Sequence, residues 1–165
     1  MVEAADFQLV TATPAEIERI FGLWMDGLVV TPSREYRPDD VEGGLLRDAD
    51  GTELAAVTWA QDGVEAEIVT LDALVRGRGY GRQALRAAEQ ALTACGVSDL
   101  VLFTTNDNLG AQALYLNEGY RLVAVHLDSM ERVRALKPQV PAIGLHGLPL
   151  RDMWEFRKTL VGGSP

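Results

Sequence analysis

Residues 67–82 read Glu-Ile-Val-Thr-Leu-Asp-Ala-Leu-Val-Arg-Gly-Arg-Gly-Tyr-Gly-Arg, an apolar run that ends in three alternating glycines and three arginines. The Ala- and Leu-rich stretch that follows has the periodicity of a helix. Glycine permits positive φ and close approach of a ligand, and the first turn of a helix offers unpaired N–H groups. These residues therefore predict a strand, a turn and a helix whose start binds a phosphate or diphosphate. A glycine-rich connection with solvated arginines is the alternative.

The spacing narrows the choice of phosphate ligand. A P-loop ends in Gly-Lys-Ser/Thr, whereas this turn ends in Gly81-Arg82-Gln83, so the spacing excludes a P-loop. A dinucleotide fold needs Gly-x-Gly-x-x-Gly and an acidic residue at the end of the next strand. Here the third glycine comes one residue early, and Asp99 precedes the strand predicted over 100–105. The pattern therefore disfavours a dinucleotide site.

A second motif follows at residues 106–120, Asn-Asp-Asn-Leu-Gly-Ala-Gln-Ala-Leu-Tyr-Leu-Asn-Glu-Gly-Tyr. With the first, it resembles the GNAT superfamily of N-acetyltransferases, closely over residues 65–127 and in outline over 7–64. The family's Arg/Gln-x-x-Gly-x-Gly/Ala signature is matched by Arg76, Gly79 and Gly81. Its Asn-x-x-Ala-x-x-Leu/Phe-Tyr and Gly-Phe/Tyr signature is matched by Asn108, Ala111, Leu114, Tyr115, Gly119 and Tyr120. Residues 128–165 are similar to a bacterial subgroup whose acceptor is undefined.

The resemblance implies an α/β (α+β) fold of the GNAT type. We expect a mixed, mostly antiparallel central sheet of about six or seven strands, flanked by about four helices. The sheet should splay between its fourth and fifth strands, predicted over 64–74 and 100–105, where the pantetheine arm of acetyl-CoA inserts. We expect an irregular segment over 31–40 and a last strand over 150–160.

Composition predicts one globular domain over residues 1–165, with 47% hydrophobic and 24% charged residues. The acidic start of the chain has no signal-peptide pattern, and no apolar run could span a membrane. The single cysteine, Cys95, excludes an internal disulfide and favours a reducing, cytoplasmic location. A net charge of −9 argues against nucleic acid as partner. Two histidines predict no metal site.

The resemblance assigns acetyl-CoA as co-substrate. Backbone amides at Ala73–Val75 should contact the thioester carbonyl, Asn108 should bind the pantetheine, and the hydroxyl of Tyr115 should face the sulfur as general acid. The full set assigned to the cofactor is Ala73, Leu74, Val75, Arg76, Gly77, Arg78, Gly79, Tyr80, Gly81, Arg82, Asn108 and Tyr115.

Glu67 lies where several family members carry a glutamate that activates the amine, commonly through water; a solvated strand charge is the alternative. Strand alternation places Glu67, Val69 and Leu71 on one face and Asp72 on the other. Asp72 is instead a candidate substrate-binding residue. His146, in a proline- and glycine-rich excursion, is a second candidate for the acceptor pocket.

Two functions are compatible with these motifs. The first is an N-acetyltransferase that passes acetyl from acetyl-CoA to a primary amine, on a small molecule or a protein, by direct attack. The second is a non-catalytic acyl-CoA sensor or structural domain of the same fold. The acceptor is not defined by any residue pattern, and a homodimer is an expectation from the family alone.

Overall fold

A computed structural model describes residues 6–24 and 26–160 of the chain. Its helices are α1 (Pro14–Phe21), α2 (Tyr80–Ala94), α3 (Leu109–Asn117) and α4 (Ser129–Leu136). Its strands are β1 (Phe7–Thr11), β2 (Val29–Val30), β3 (Glu35–Tyr36), β4 (Glu42–Asp48), β5 (Glu53–Asp62), β6 (Glu65–Ala73), β7 (Asp99–Thr105), β8 (Arg121–His126) and β9 (Met153–Thr159). Short 3₁₀ turns lie at Pro38–Asp40 and Leu145–Gly147. None of the helices over the described ranges is both long and apolar enough to cross a membrane.

Seven strands form the central sheet, in the order β1-β4-β5-β6-β7-β9-β8. Every neighbouring pair is antiparallel except β6 and β7, which are joined by the crossover helix α2. The predicted architecture, a mixed and mostly antiparallel sheet with four helices, is confirmed.

The two faces of the sheet carry different helices. On one face, Leu85 and Ala88 of α2 pack with Ile68 and Leu102, and Tyr115 of α3 belongs to the same cluster. On the other face, α1 covers Val69 through Ile17 and Phe21. Phe103 of β7 packs on this second face with Met130 and Val133 of α4. A residue in β6 or β7 therefore faces either α2 and α3 or α1 and α4.

Local sequence explains where α1 begins. The Thr13 hydroxyl accepts a hydrogen bond from the Glu16 amide, and the Glu16 carboxylate accepts one from the Thr13 amide, which forms a capping box. Pro14 occupies the first helical position, where its missing N–H costs nothing. Ile17, Ile20 and Phe21 are buried, each stabilising the fold by roughly 1.5–3 kcal/mol.

Two details differ from the sequence-based expectations. A short hairpin overlaps the segment predicted to be irregular over 31–40. Its first strand, β2, lies just before the segment and its second, β3, lies inside it, with Val29 paired to Tyr36 and Val30 to Glu35. The last strand begins at Met153, because the amides of Arg151 and Asp152 instead donate to Asn106 in the loop before α3, and the Leu150 amide donates to the Ala142 carbonyl. Two-residue strands have too little periodicity to be recognised from sequence.

Candidate active site

The parallel strands β6 and β7 separate halfway along their length. Their pairing runs from Glu65 and Asp99 to Ile68 and Leu102 and then stops. Beyond that point β6 stays paired with β5 as far as Ala73, and β7 stays paired with β9 as far as Thr105. The result is a V-shaped gap between the two strands that were predicted to splay.

A cleft of about 190 Å³ occupies this gap. Its lining comprises Trp24, Ile68, Val69, Thr70, Leu71, Ala73, Gly81, Phe103, Thr104, Asn108, Ala111, Leu114 and Tyr115. A larger groove of about 1240 Å³ lies between α1, α2 and β4, but neither Tyr115 nor any of residues 73–82 lines it. The volume of the cleft suits a narrow chain, since drug-sized ligand sites occupy roughly 300–1,000 Å³.

The backbone at the end of β6 corrects one prediction. The amides of Leu74 and Val75 both donate to the carbonyl oxygen of Leu54, at 3.0 and 3.1 Å. The N–H groups of a strand alternate between its two neighbours, so those of Ala73 and Leu71 point away from β5 and into the gap. The expectation that Leu74 or Val75 offers a free amide is therefore wrong, because the Leu54 carbonyl of β5 accepts a hydrogen bond from each of these amides. Of the three predicted amide donors, Ala73 faces the gap.

The glycine-rich turn presents a run of unpaired amides. Within the described residues, no hydrogen bond uses the backbone N–H of any residue from 76 to 82. Gly77 and Gly79 adopt φ of +76° and +74°, and Gly79 is the N-cap of α2. Successive N–H groups in such a turn can converge on an anion, and the helix start adds positive potential.

Gly81 has a different role from the other two glycines. It lies inside the first turn of α2 and lines the cleft, where a Cβ would lie 3.9 Å from the Cβ of Ala73. A larger side chain here would occupy the space between α2 and β6. Gly81 therefore keeps the entrance of the cleft open.

The three arginines of the turn are not equivalent. Arg76 and Arg78 are exposed and make no ion pair with another described residue. Arg82 Nε lies 2.9 Å from Glu118 Oε1, although its N–H is not aligned for a hydrogen bond, so the contact is an ion pair. Arg86 donates to the same carboxylate at 2.7 and 3.0 Å, which holds the pKa of Glu118 below its usual value. Arg82 thus links α2 to the end of α3.

Tyr115 lies in the last turn of α3, on the cleft wall, and its side chain is buried. Its ring packs between Tyr120 and Phe156, with centroid distances of 5.9 and 5.8 Å. Burial raises the pKa of the phenol, and the nearby charge of Asp72 raises this pKa further. The hydroxyl is therefore protonated at neutral pH and can serve as a proton donor.

Asn108 precedes α3 and also lines the cleft. Its side-chain oxygen accepts a hydrogen bond from the Ala111 amide at 3.2 Å, as an N-cap does. Gln112 holds the same turn through 3.1 Å hydrogen bonds to the carbonyls of Thr105 and Asn106. The cap uses the Asn108 oxygen and leaves its NH₂ group to donate elsewhere.

A β-bulge in β6 changes which face Asp72 occupies. Thr58 pairs with Thr70 but Trp59 pairs with Ile68, so Val69 is an extra residue in the strand. Leu71 therefore packs on the face of α2, while the Asp72 carboxylate accepts a 3.0 Å hydrogen bond from Trp24 Nε1 just after α1. The predicted separation of Glu67 and Asp72 onto opposite faces is wrong, because the bulge shifts the alternation by one residue.

Asp72 lies between Leu71 and Ala73, which line the cleft, and is bonded to Trp24 of the lining, although it is not itself a lining residue. Burial raises the pKa of its carboxyl, and the hydrogen bond from Trp24 partly offsets this effect. Only Oδ2 is engaged; Oδ1 has no hydrogen-bond partner among residues 6–24 and 26–160. The carboxylate therefore retains capacity to accept a hydrogen bond.

Glu67 is buried beneath the β2–β3 hairpin. Its Oε2 accepts hydrogen bonds from Tyr36 Oη and Ser33 Oγ, both at 2.5 Å, whereas its Oε1 is buried with no partner in the described part of the chain. Burial raises the pKa of Tyr36, and the hydrogen bond from Tyr36 to Glu67 raises this pKa further. Tyr36 and Ser33 were not predicted from sequence, because the hairpin that positions them was not recognised.

His146 does not line the cleft. Its side chain is exposed, and it lies in the 3₁₀ turn at Leu145–Gly147 with φ of +58°. The buried Asp107 holds this loop by accepting a 2.7 Å hydrogen bond from the Leu145 amide. A Cβ on Gly144 would overlap the Asp107 carboxylate, so glycine is required there. The structure does not bring the predicted acceptor residue His146 to the gap.

Trp24 and Lys137 lie in the two segments, 24–36 and 127–152, in which the acceptor pocket was expected, but no sequence motif assigned either residue a specific role. Lys137 is buried and its Nζ donates to the carbonyls of Trp24 and Leu28, at 3.0 and 2.6 Å. Desolvation lowers the pKa of this ammonium, and the negative charge of Asp26 partly offsets this decrease. Lys137 therefore fastens the segment that carries Trp24 to the end of α4.

Comparison with known proteins agrees with this geometry. A profile described as the acetyltransferase (GNAT) family matches residues 22–120 of the chain. The uncharacterized protein YdhI of Bacillus subtilis is 31% identical over 125 residues, which cover 76% of this chain and 78% of that protein.

Two solved structures are similar in fold. An IAA acetyltransferase from Bacillus cereus superposes with a TM-score of 0.74 at 18% identity, covering 94% of this chain and 100% of that one. A Bacillus subtilis acetyltransferase in complex with CoA gives a TM-score of 0.69 at 17% identity, covering 94% and 99%. At these identities the likeness concerns the fold alone.

Proposed function

This chain belongs to the acetyltransferase (GNAT) family, and we propose that it transfers an acetyl group from acetyl-CoA to a primary amine by direct attack. The observation that carries the proposal is one continuous path. It begins at the unpaired amides of residues 76–82, passes through the gap between β6 and β7 and reaches the Tyr115 side chain. We assign the amides to the diphosphate of acetyl-CoA, the gap to its pantetheine arm and Tyr115 to its thioester sulfur.

The diphosphate of acetyl-CoA binds at the start of α2. Its oxygens accept hydrogen bonds from the amides of residues 76–82, in a turn that Gly77 and Gly79 make possible. Arg76 and Arg78 add positive charge that no described carboxylate neutralises. This local charge opposes the net charge of −9, which would otherwise repel the anion.

The pantetheine arm lies in the gap and continues the interrupted sheet. Its amides pair with the edge of β6 that β7 leaves free, at Leu71 and Ala73, and the NH₂ group of Asn108 donates to the arm from the other wall. The Ala73 amide then contacts the thioester carbonyl. A donor placed there stabilises the negative charge that develops on this oxygen during attack.

The reaction forms a C–N bond and breaks a C–S bond. A neutral amine attacks the thioester carbon, and the tetrahedral intermediate collapses with loss of the CoA thiolate. The Tyr115 hydroxyl, which is protonated at neutral pH, donates a proton to the departing sulfur, and the resulting phenolate takes up the extra proton that the acylated nitrogen releases. The acceptor first loses a proton to Glu67 through a water bound at Oε1, the buried oxygen without a partner among the described residues.

Calorimetry with acetyl-CoA, followed by a thiol-release assay across a panel of primary amines, tests this function. We expect binding and amine-dependent release of CoA. Tyr115→Phe should lower kcat by about 10²- to 10⁴-fold with little change in acetyl-CoA affinity. Tyr120→Phe is the matched control, because Tyr120 packs on Tyr115 but its hydroxyl donates to Glu89. Binding without thiol release would favour the acyl-CoA sensor instead.

A further inference from the structure

Residues on the face of the sheet that carries α1 and α4 also line the gap. Tyr115 reaches the cleft from the opposite face, with α2 and α3. On the α1 and α4 face the cleft is bordered by Val69, Phe103 and Trp24. A thioester held between the strands can therefore be attacked from a side where the cofactor does not lie.

The bulge at Val69 turns Asp72 toward this face of the sheet. The indole of Trp24, which lines the cleft, donates to Asp72 Oδ2 and leaves Oδ1 free within the described ranges. Leu71 and Ala73, the neighbours of Asp72 in β6, line the cleft together with Tyr115, so the carboxylate and the phenol lie near the same gap. An ammonium bound to Asp72 would thus lie close to the thioester.

Glu67 occupies the same face but has different surroundings. Tyr36 and Ser33 cover its Oε2 and its Oε1 is buried, whereas the Asp72 side chain is only half-buried. Glu67 can reach the reacting nitrogen only through water. Direct contact with the acceptor therefore belongs to Asp72.

We propose that Asp72 and Trp24 form the acceptor subsite and select a primary ammonium attached to an apolar skeleton. This inference rests on the proposed acetyl transfer and names its substrate class. Asp72 Oδ1 accepts a charge-assisted hydrogen bond from the ammonium, which is stronger than a neutral one and stronger still away from water. The aromatic rings of Trp24 and Phe103 and the Val69 side chain enclose the carbon skeleton.

The subsite also predicts which acceptors bind poorly, namely those with a carboxylate next to the amine. A carboxylate on the acceptor, next to the amine, would meet the charge of Asp72 in a partly buried setting. The indole N–H of Trp24 is already used by Asp72 and offers no counter-donor. Amines should therefore be preferred over the amino acids of the same skeleton.

Matched acceptor pairs test the subsite, for example 2-phenylethylamine against phenylalanine, in the thiol-release assay. We expect the wild type to prefer the amine in kcat/KM. Asp72→Asn should lower kcat/KM for the amine by about 10- to 100-fold, mainly through KM, and reduce the preference within each pair. Asp72→Glu should restore part of the preference. Asp62→Asn is the control for loss of one charge, since Asp62 ends β5 in an exposed position.

Acetyl-CoA affinity and melting temperature show whether each variant is folded, and both should stay near wild type. Trp24→Phe is the second variant, because it keeps an aromatic wall and removes the hydrogen bond to Asp72; we expect a smaller rise in KM. A wild type that favours the amino acids, or an unchanged preference in a folded Asp72→Asn, would overturn the subsite. Acetyl-CoA binding without thiol release for any amine would instead fail the proposed function, and the subsite with it.

Discussion

Lys137 Nζ donates a hydrogen bond to the carbonyl oxygen of Trp24 at 3.0 Å, which connects α4 to the indole that binds Asp72. The same ammonium donates to the Leu28 carbonyl at 2.6 Å, so one buried cation fastens both sides of a loop. Residues far apart in the chain thereby define one wall of the cleft.

Lys137→Met should weaken acceptor use and leave cofactor binding unchanged. Methionine fills a similar volume but leaves the carbonyls of Trp24 and Leu28 without a donor, so the Trp24 segment loses its anchor. We expect KM for the amine to rise several-fold, measured by thiol release, while the acetyl-CoA Kd from calorimetry is unaffected. A variant with altered acetyl-CoA affinity and normal acceptor KM would contradict this assignment.

The pH dependence of stability should also report on Lys137. Burial lowers the pKa of its ammonium in the folded protein below the ordinary 10.5. Between these two pKa values the unfolded chain binds more protons than the folded one, so the free energy of unfolding rises with pH across that interval. Denaturant titrations from neutral pH to about pH 10.5 should show wild type gaining stability relative to Lys137→Met. A constant difference would exclude a desolvated ammonium at this position.

Gly79→Ala should impair acetyl-CoA binding. Gly79 has φ of +74°, a conformation that costs other residues about 1–2 kcal/mol, so alanine would turn the neighbouring amides away from the diphosphate. Gly51→Ala is a matched control, since Gly51 has φ of +81° in the β4–β5 turn and a Cβ added there would meet no described atom within 4 Å. Both variants should lose similar stability in thermal melts, but only Gly79→Ala should raise the acetyl-CoA Kd. Equal Kd values for the two would place the diphosphate elsewhere.

Replacing Arg76 and Arg78 by glutamine should raise the acetyl-CoA Kd and flatten its dependence on salt. Both side chains are exposed and free of ion pairs within the described residues, so their charge attracts the ligand through solvent and is screened by ions. Calorimetry at low and high salt measures both effects. Arg121→Gln, on the exposed edge strand β8, should leave the Kd unchanged. An identical salt slope in the double variant would remove the arginines from the site.

Glu67→Gln should reduce turnover without loss of cofactor affinity. The amide oxygen can still accept from Tyr36 and Ser33, so the hairpin stays in place while the proton acceptor is lost. A drop in kcat of about 10²-fold or more is expected if Glu67 is the base. Glu65→Gln removes a charge from the same strand, at the surface pair with Arg157, and should have no such effect. Equal kcat values for both variants would assign Glu67 to holding the hairpin only.

The local geometry of the proposed cofactor side follows from the sequence because its determinants are local. Gly77 and Gly79 allow a left-handed turn whatever surrounds them, and the N-cap Asn108 is recognised from the helix that follows it. The position of Tyr115 follows from its spacing within the same helix. The correspondence with the family motifs then related these local features to one cofactor.

The arrangement of the proposed acceptor side does not follow from the sequence, because its residues meet only through long-range contacts. Val69 is an ordinary strand residue in the sequence, yet as the extra residue of a bulge it moves Asp72 to the face of Glu67. Trp24 and Lys137 lie 113 positions apart and are joined by one hydrogen bond. His146 was expected at the acceptor pocket, but the contact between Asp107 and its loop holds it outside the cleft.

The order of the residues alone thus defines the strand, turn and helix that present the amides of residues 76–82 to an anion, since backbone conformations of neighbouring residues depend mainly on their own side chains. The opening between β6 and β7, and the carboxylate that borders it, arise from which strands pair and where the pairing stops. Strand pairing joins segments distant in the chain, and one extra residue reverses the direction of every side chain after it. For that reason Asp72 acquires its place in the site only in the assembled sheet.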